Sequence, residues 1–244
     1  MRATNTFTLG TNRALYIGEL PATEWHCHAS PVLLIGLSGR FAVHLPDAGI
    51  QSCHSVLIDA GVDHVFDPCG ERVALIYFEP DSIEARRLRQ QFRLDGKVIF
   101  DVAMRPVSSA SFNRHLGSFD LQTLLRFKVP DSIKLDVRVE NSLKLLRAVN
   151  DRPVARDTAA LAAALSSSRF NHLFRAEAGV SFRSYRIWSQ VRSSFFSLAQ
   201  GTSLTDAALY GAFTDSSHFS RTFRKTFGMS PSTVLKPLEE IVIV

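Results

Sequence analysis

Three histidines carry the side chains in this sequence that are best suited to binding a metal ion. His26 and His28 flank Cys27, so an extended strand would place both imidazoles on one face, and His64 lies further along the chain. Imidazole nitrogens are good ligands for Zn, Fe, Ni and Cu. Histidines in such positions also line pockets or make hydrogen bonds between strands. We expect this second role, in which the three side chains border an effector pocket without a metal ion or other cofactor.

Two short runs of polar and basic residues are suited to recognising DNA. Arginine pairs with guanine and asparagine with adenine in the major groove, whereas serine hydroxyls and helix N-termini suit phosphates. We predict that both runs contact DNA. The first consists of Ser167, Ser168, Arg169, Asn171, His172 and Arg175, and the second of Ser216, Ser217, His218, Ser220, Arg221 and Arg224.

These two runs are copies of one sequence pattern. Residues 167–182 align with residues 216–231 at an offset of 49, and seven of the sixteen positions are identical. In each copy phenylalanines recur one helical turn apart, serines can cap the start of a helix, and a glycine can end it. An alanine-rich segment precedes each copy, at 157–165 and at 204–213. A short helix, a tight turn and a longer helix with a polar start form the pattern of a helix-turn-helix.

Charge and motif content favour a DNA-binding protein over an enzyme. Residues 131–244 contain 15 Lys and Arg against 10 Asp and Glu, whereas residues 1–130 contain 13 of each kind. This excess of positive charge would attract a polyanion. The GxGxxG, P-loop, GxSxG and HExxH signatures of enzymes do not occur. The sequence shows no signal-peptide pattern and no apolar run of membrane-spanning length, which predicts a cytoplasmic protein without membrane contact.

The sequence divides into two regions with different predicted secondary structure. Up to about Pro80 the sequence predicts a small β-sandwich or barrel, with short apolar runs at 32–37, 41–45, 55–60 and 72–78. Two helices are expected next, at 82–93 and 109–127. Pro130 marks the boundary, because proline disfavours helical geometry at the preceding residue. Beyond it the pattern is helical, with segments near 135–149, 157–164, 167–178, 182–200, 203–210 and 216–227.

The segment from about Leu143 to Leu235 resembles the DNA-binding domain of the AraC/XylS family of bacterial transcription regulators. The resemblance rests on the runs LAAALSSSRFNHLFRAEAGVSFRSY and AALYGAFTDSSHFSRTFRKTFGMSP. It implies seven helices, with the helix at 182–200 joining two units that read adjacent major grooves. The base-facing positions that it implies are Ser168, Asn171, His172, Ser216, Ser217, His218 and Arg221. This chain departs from the family pattern at Ala212, where the family usually has glycine, and at Gln190, where it usually has arginine.

Residues 10–80 are similar to the cupin-like barrel that often precedes such a DNA-binding domain. The similarity rests on the His26-Cys27-His28 run, on Gly36 and Gly39, and on the segment 59–64. It implies a small effector bound inside the barrel and a dimer formed through the helices after it. A complete cupin metal site would usually have a glutamate four residues after its second histidine, but Val32 occupies that place here.

We therefore predict an α+β protein with two domains. Residues 1–128 are expected to form a cupin-like effector-binding and dimerisation domain, and residues 129–244 an all-α domain with two helix-turn-helix units. The predicted function is sequence-specific binding of double-stranded promoter DNA by a transcription activator that responds to a small effector and works with RNA polymerase. Two alternatives stay open: a cupin-type metal-binding enzyme or sensor that uses the three histidines, and an interaction module with impaired DNA binding.

Overall fold

The computed structural model of the protein describes residues 5–103, 124–125, 134–148 and 154–244. An N-terminal region of strands is followed by a C-terminal region of helices. The strands are β1 (Asn5–Leu9), β2 (Arg13–Gly18), β3 (Val32–Gly36), β4 (Phe41–Leu45), β5 (Gly49–Cys53), β6 (Ser55–Ile58), β7 (Val65–Asp67), β8 (Val73–Phe78), β9 (Val98–Phe100) and β10 (Leu238–Ile243). The helices are α1 (Ile83–Phe92), α2 (Val137–Ala148), α3 (Arg156–Ala162), α4 (Ser167–Ala178), α5 (Phe182–Ala199), α6 (Leu204–Tyr210), α7 (Ser216–Phe227) and α8 (Pro231–Leu235).

The strands form two sheets. A seven-stranded sheet has the order β10-β1-β2-β8-β3-β6-β9, and a three-stranded sheet has the order β5-β4-β7. Pairing between β2, β8, β3 and β6 is antiparallel, whereas β10 runs parallel to β1. Strand β10 follows the last helix, so the end of the described chain returns to the N-terminal sheet and ties the two regions together.

The large sheet is buried on both faces. Alternate residues of a strand point to opposite faces, and all five residues of β3 are buried. Leu34 and Leu75 on one face pack with the small sheet and with helices α5 and α7. Leu33 and Ile76 on the other face pack against the apolar side of α1. The first of these two cores is therefore shared between the N-terminal sheets and the helical region.

The sequence pattern located most of these elements. The four predicted runs coincide with β3, β4, β6 and β8, the helix expected at 82–93 is α1, and the C-terminal segments correspond to α2 to α7. The predicted α+β class, with a sheet-forming N-terminal region and a helical C-terminal region, is confirmed. The remaining strands and α8 were not predicted, and β10 adds one strand after the helices. Most of the helix expected at 109–127 and the predicted boundary at residues 128 and 129 lie outside the described residues.

Candidate DNA-binding and effector sites

Helices α4 and α7 are the second helices of two helix-turn-helix units. Ser166 caps α4 by accepting a hydrogen bond from the amide of Arg169, and Asp215 caps α7 in the same way from His218. Each helix ends at a glycine with left-handed backbone, Gly179 and Gly228. The duplicated sequence therefore folds into duplicated helices with matching ends.

Phenylalanines fix the inner face of each helix. Phe170 and Phe174 are fully buried in one cluster, where they contact Phe182 of α5. Phe219 and Phe223 are buried in the core that the helices share with the sheets. Because these stripes face inward, the opposite side of each helix is left for polar residues.

The predicted contact residues of α4 lie mostly on its outer side. Ser168, Arg169, His172 and Arg175 are exposed, and Asn171 is half-buried. Ser167 is also half-buried, and its hydroxyl donates to the Asp157 carboxylate of α3. The Ser167 hydroxyl hydrogen is thus already engaged in a hydrogen bond within the protein. The other side chains face outward or lie at the edge of the helix surface.

Helix α7 presents a comparable set. Ser217, Arg221 and Arg224 are exposed, as is Lys225. The remaining predicted residues, Ser216, His218 and Ser220, are half-buried. The Ser220 hydroxyl donates to the carbonyl of Ser216 within α7. The ring of His218 hydrogen bonds to the hydroxyl of Thr214, which precedes the helix.

A concave surface beside α4 gathers arginines that sequence reasoning did not single out. Its lining includes Arg156 from α3, Arg183 and Arg186 from α5, and the predicted residues Asn171 and Arg175. Positive charge in a concave surface attracts phosphate oxygens, which guanidinium groups bind through two hydrogen bonds. These arginines lie outside the repeated sequence pattern, so the pattern did not identify them as DNA contacts. Their charge is part of the excess of Lys and Arg over Asp and Glu in this region.

The turn of each unit contains an alanine with positive φ. Ala164 has φ of 52° and Ala212 has φ of 57°, a conformation that favours glycine. Ala212 stands where the family pattern usually has glycine. Gln190, the second departure, donates from its side-chain amide to the carbonyl of Ala212 at 3.0 Å, and so holds the strained turn against α5.

The N-terminal region contacts the C-terminal ends of both helices. Arg89 of α1 donates to the carbonyl of Ala178 at the end of α4, and burial lowers the pKa of Arg89 to about 10. The amide of Glu24 donates to the carbonyl of Gly228 at 2.8 Å, just after α7. Both helix ends carry a partial negative charge, which these N–H donors stabilise.

An apolar cavity of about 60 Å³ lies between the large sheet and the helices. Among the described residues that line it, Arg192 has the only charged side chain, and its guanidinium already binds Glu79 through its Nε–H at 2.6 Å. The apolar character of this lining suits the apolar part of a small molecule. The lining includes Phe7, Tyr16, Leu75, Tyr77, Trp188, Val191, Phe223 and Phe227.

The three predicted histidines lie next to this cavity and do not line it. His26, His28 and His64 are all buried, and their candidate ligand nitrogens lie within 4.8 Å of one another. The ring of His28 packs against Tyr77 and Phe227, which do line the cavity. Burial lowers the pKa of His26 from 6.5 to about 3 and that of His64 to about 4, and it also lowers the pKa of His28. All three imidazoles are therefore neutral at pH 7.

Comparison with known proteins agrees with the geometry. Residues 159–237 match a family model described as a helix-turn-helix domain. No curated protein sequence matches the chain significantly. The two units and their caps agree with this match, which places a helix-turn-helix domain in the C-terminal part of the chain.

Solved structures show the same fold over nearly the whole chain. ToxT from Vibrio cholerae strain SCE256 with a bound unsaturated fatty acid has a TM-score of 0.57 at 14% identity, and the match covers 98% of each chain. ToxT from Vibrio cholerae O395 bound to (E)-4-(8-methylnaphthalen-1-yl)but-3-enoic acid has a TM-score of 0.58 at 11% identity, covering 91% of this chain and 97% of that one. The chain thus shares the ToxT fold. Within the described parts of the chain, no helix has the length and apolar character required to cross a bilayer.

Proposed function

We propose that this protein is a cytoplasmic, ligand-responsive transcription regulator, and not an enzyme, that binds promoter DNA through α4 and α7. The observation that carries the proposal is the exposure of Arg169 and Arg221 near the capped N-terminal ends of two duplicated helices. Such helix ends enter the major groove in helix-turn-helix proteins. Asn171, His172, Ser217 and Arg221 are proposed to read base edges.

Phosphate contacts supply most of the affinity in this proposal. Arg175 and Arg224 occupy equivalent exposed places in the two copies, and Lys225 extends the basic surface on α7. The arginines of the concave surface beside α4 add to it. Because each phosphate contact releases counterions, binding should weaken steeply as salt rises.

The test starts by selecting native genomic fragments that the full-length protein retains. Affinity for a selected fragment and for random DNA of equal length is then measured by fluorescence anisotropy over a salt series. We expect tighter binding to the selected fragment and a steep salt dependence for both. Equal affinity for the two DNAs, or no binding to either, would refute sequence-specific regulation and favour the interaction module.

The proposed effector is a small apolar molecule bound in the cavity between the sheet and the helices. ToxT, which has the same fold, is known with an unsaturated fatty acid and with an aryl butenoic acid. A carboxylate placed here would have to compete with Glu79 for Arg192. The predicted role of His26, His28 and His64 in effector binding stays a prediction, since they contact the cavity wall and not its interior.

Calorimetry with an unsaturated fatty acid and with the matching alcohol tests the effector class. Binding of both compounds would indicate that apolar contacts dominate, and binding of the acid alone would assign its carboxylate to Arg192. Ala14→Leu fills part of the cavity and should weaken either ligand, whereas Ala42→Leu on β4, whose residue is not in the lining, is the matched control. Failure of both ligands to bind would contradict this effector class without affecting the DNA-binding proposal.

The partners follow from the same family resemblance. We propose a homodimer formed through the N-terminal region and a contact with RNA polymerase during activation. Phe196 and Tyr210 stack on the surface of the helical region, both more than a third exposed, and they are candidates for that contact. Tyr210→Ala should leave DNA affinity unchanged and reduce transcription in vitro, and sedimentation of the full chain tests the dimer.

A further inference from the structure

The glycines that close the two duplicated helices are equivalent points of the repeat. Gly179 follows α4 and Gly228 follows α7, and they are separated by the same offset of 49 residues. The N-terminal region makes a hydrogen bond at each point. Arg89 donates to the carbonyl of Ala178, just before Gly179, and the amide of Glu24 donates to the carbonyl of Gly228. The same region of the protein therefore holds equivalent ends of both helices.

Both contacts are close enough to leave no room for a side chain at either glycine. A Cβ added at Gly179 would overlap Nη1 of Arg89. A Cβ added at Gly228 would lie 2.5 Å from the carbonyl oxygen of Glu24. The two glycines thus provide the left-handed backbone that ends each helix and also the close approach of the N-terminal region.

Each of these contacts is fixed within the N-terminal region. Nη2 of Arg89 donates to the carbonyl of Pro80 at 2.8 Å, shortly after β8. The hydroxyl of Thr23, next to Glu24, accepts from the amide of Phe66 on β7 at 2.8 Å. Helix α1 packs on one face of the large sheet and the small sheet packs on the other. Because packed elements of this kind deform little, they set the distance between the two contacts.

Helix α4 has few apolar contacts with the N-terminal region. Phe170 and Phe174 belong to a cluster in which Ala60 is the only member from that region among the described residues. By contrast, Phe219 and Phe223 of α7 belong to the core that the helices share with the sheets. Burial therefore anchors α7 to the N-terminal region, whereas α4 is held through α5, Ala60 and the hydrogen bond from Arg89.

We propose that Arg89 is a positioning residue that sets the orientation of α4 relative to α7, and with it the spacing of the DNA positions that the two helices read. The contacts lie at the C-terminal ends of both helices and leave their polar N-terminal ends free. An inserted base pair would move one of these DNA positions by about 3.4 Å and turn it by about 35°. Two helices held rigidly cannot follow that change. The spacing part rests on the proposed function, whereas the orientation of α4 does not.

Distances between spin labels test the orientation without DNA. Ala176 and Lys225 are exposed, equivalent residues of α4 and α7. Ala176→Cys and Lys225→Cys are labelled in a full-length chain whose three native cysteines are replaced by alanine. Double electron–electron resonance should give one narrow distance distribution when Arg89 is present. Arg89→Met keeps an unbranched side chain but removes the donors, and it should broaden the distribution.

A second arginine of α1 provides the matched control. Arg87 acts electrostatically on Glu84 of the same helix, and Arg87→Met should leave the distribution narrow. A broad distribution with Arg89 present, which needs no variant at that position, would overturn the proposal. Equal widths with Arg89 and with Arg89→Met, or equal broadening by Arg87→Met, would overturn it as well.

DNA with altered spacing tests the consequence for recognition. Fluorescence anisotropy compares a selected fragment with the same fragment carrying one base pair inserted between the positions that α4 and α7 read. The insertion should weaken the wild type about tenfold or more, comparable with the loss of one base contact. Arg89→Met should bind the two fragments with nearly equal affinity, and Arg89→Lys, which keeps a charged donor, should restore part of the preference. Affinity for random DNA should be the same for all three proteins.

The outcomes separate this inference from the proposed function. A wild type that binds both spacings equally, or an Arg89→Met variant that discriminates between them as well as the wild type, would refute the spacing role and leave DNA binding intact. Absence of binding to any fragment by the wild type would refute the proposed function. In that case the spin-label distances would still decide whether Arg89 positions α4.

Discussion

The indole Nε1–H of Trp188 donates to Oε2 of Glu79 at 2.9 Å, which joins the middle of α5 to the end of β8. The other carboxylate oxygen of Glu79 accepts from Nε of Arg192, one turn further along α5. Nearly the whole Glu79 side chain is buried. One carboxylate of the N-terminal region therefore holds the helix that connects the two helix-turn-helix units.

Removing this carboxylate should destabilise the protein. Glu79→Ala leaves the Trp188 indole and the Arg192 guanidinium without their acceptor, and two unsatisfied donors of this kind cost about 3 kcal/mol. Glu79→Gln keeps an acceptor for Trp188 and is expected to stay close to wild type at neutral pH. Denaturant unfolding measures both variants, and an Ala variant as stable as the Gln variant would contradict the role of the hydrogen bonds.

The same residue predicts a pH dependence. Burial raises the pKa of Glu79 above 4.5, against the opposing effects of Arg192 and Trp188. The folded protein thus holds this proton more tightly than the unfolded chain, and its contribution to stability is lost as pH rises through the raised pKa. The wild type should gain stability relative to Glu79→Gln as pH falls towards 4.5. A difference that does not change with pH would show that burial leaves this carboxyl unperturbed.

A glycine at position 212 should stabilise the protein. The left-handed backbone of Ala212 costs about 1–2 kcal/mol, and glycine removes that cost at the expense of ~0.4–1 kcal/mol of unfolded-chain entropy. We expect Ala212→Gly to gain roughly 0.5–1 kcal/mol in denaturant unfolding. Gly211→Ala is the matched opposite, because its Cβ would lie 2.5 Å from the carbonyl oxygen of Gln190 and should destabilise the same turn. Loss of stability in Ala212→Gly would show that this turn is not strained.

Substitutions on α7 should separate base recognition from phosphate binding. Arg221→Ala is expected to cost ~1–3 kcal/mol on a selected fragment and to relax the preference at one base pair. Arg224→Ala should weaken selected and random DNA alike and lower the salt slope by about one. Lys97→Ala, which removes an exposed charge from the N-terminal region, is the control and should change neither. Equal weakening on all sequences by Arg221→Ala would count against direct readout by that residue.

The repeat made the helical region predictable from sequence. Phe170 and Phe219 recur at a fixed offset with caps and closing glycines, and local patterns of this kind determine helices without knowledge of distant contacts. The same residues also indicated which faces are polar. The sequence therefore located both candidate DNA-contacting helices, with α4 and α7 beginning and ending at the predicted residues.

Features that depend on contacts distant in sequence could not be predicted. The strand pattern of β1 and β5 is weak because turn residues and polar side chains interrupt it, and only pairing with neighbours defines these strands. The contact of Arg89 with Ala178 joins residues far apart in the chain. His26 and His64 were selected as a pair, but the backbone bridge that brings them together is likewise visible only in the fold.

Strand β10 provides the last test of how the two regions are connected. It is a parallel edge strand on β1, and its Leu238 and Ile241 pack against the shared core. A chain ending at Pro237 would lose these contacts and expose the edge of β1, which favours association between chains. We expect the melting temperature to fall by roughly 4–8 °C, corresponding to about 2 kcal/mol, with faster amide exchange in β1. Glu240→Gln keeps the strand and should behave as wild type, whereas unchanged exchange in the shortened chain would show that β10 does not hold the regions together.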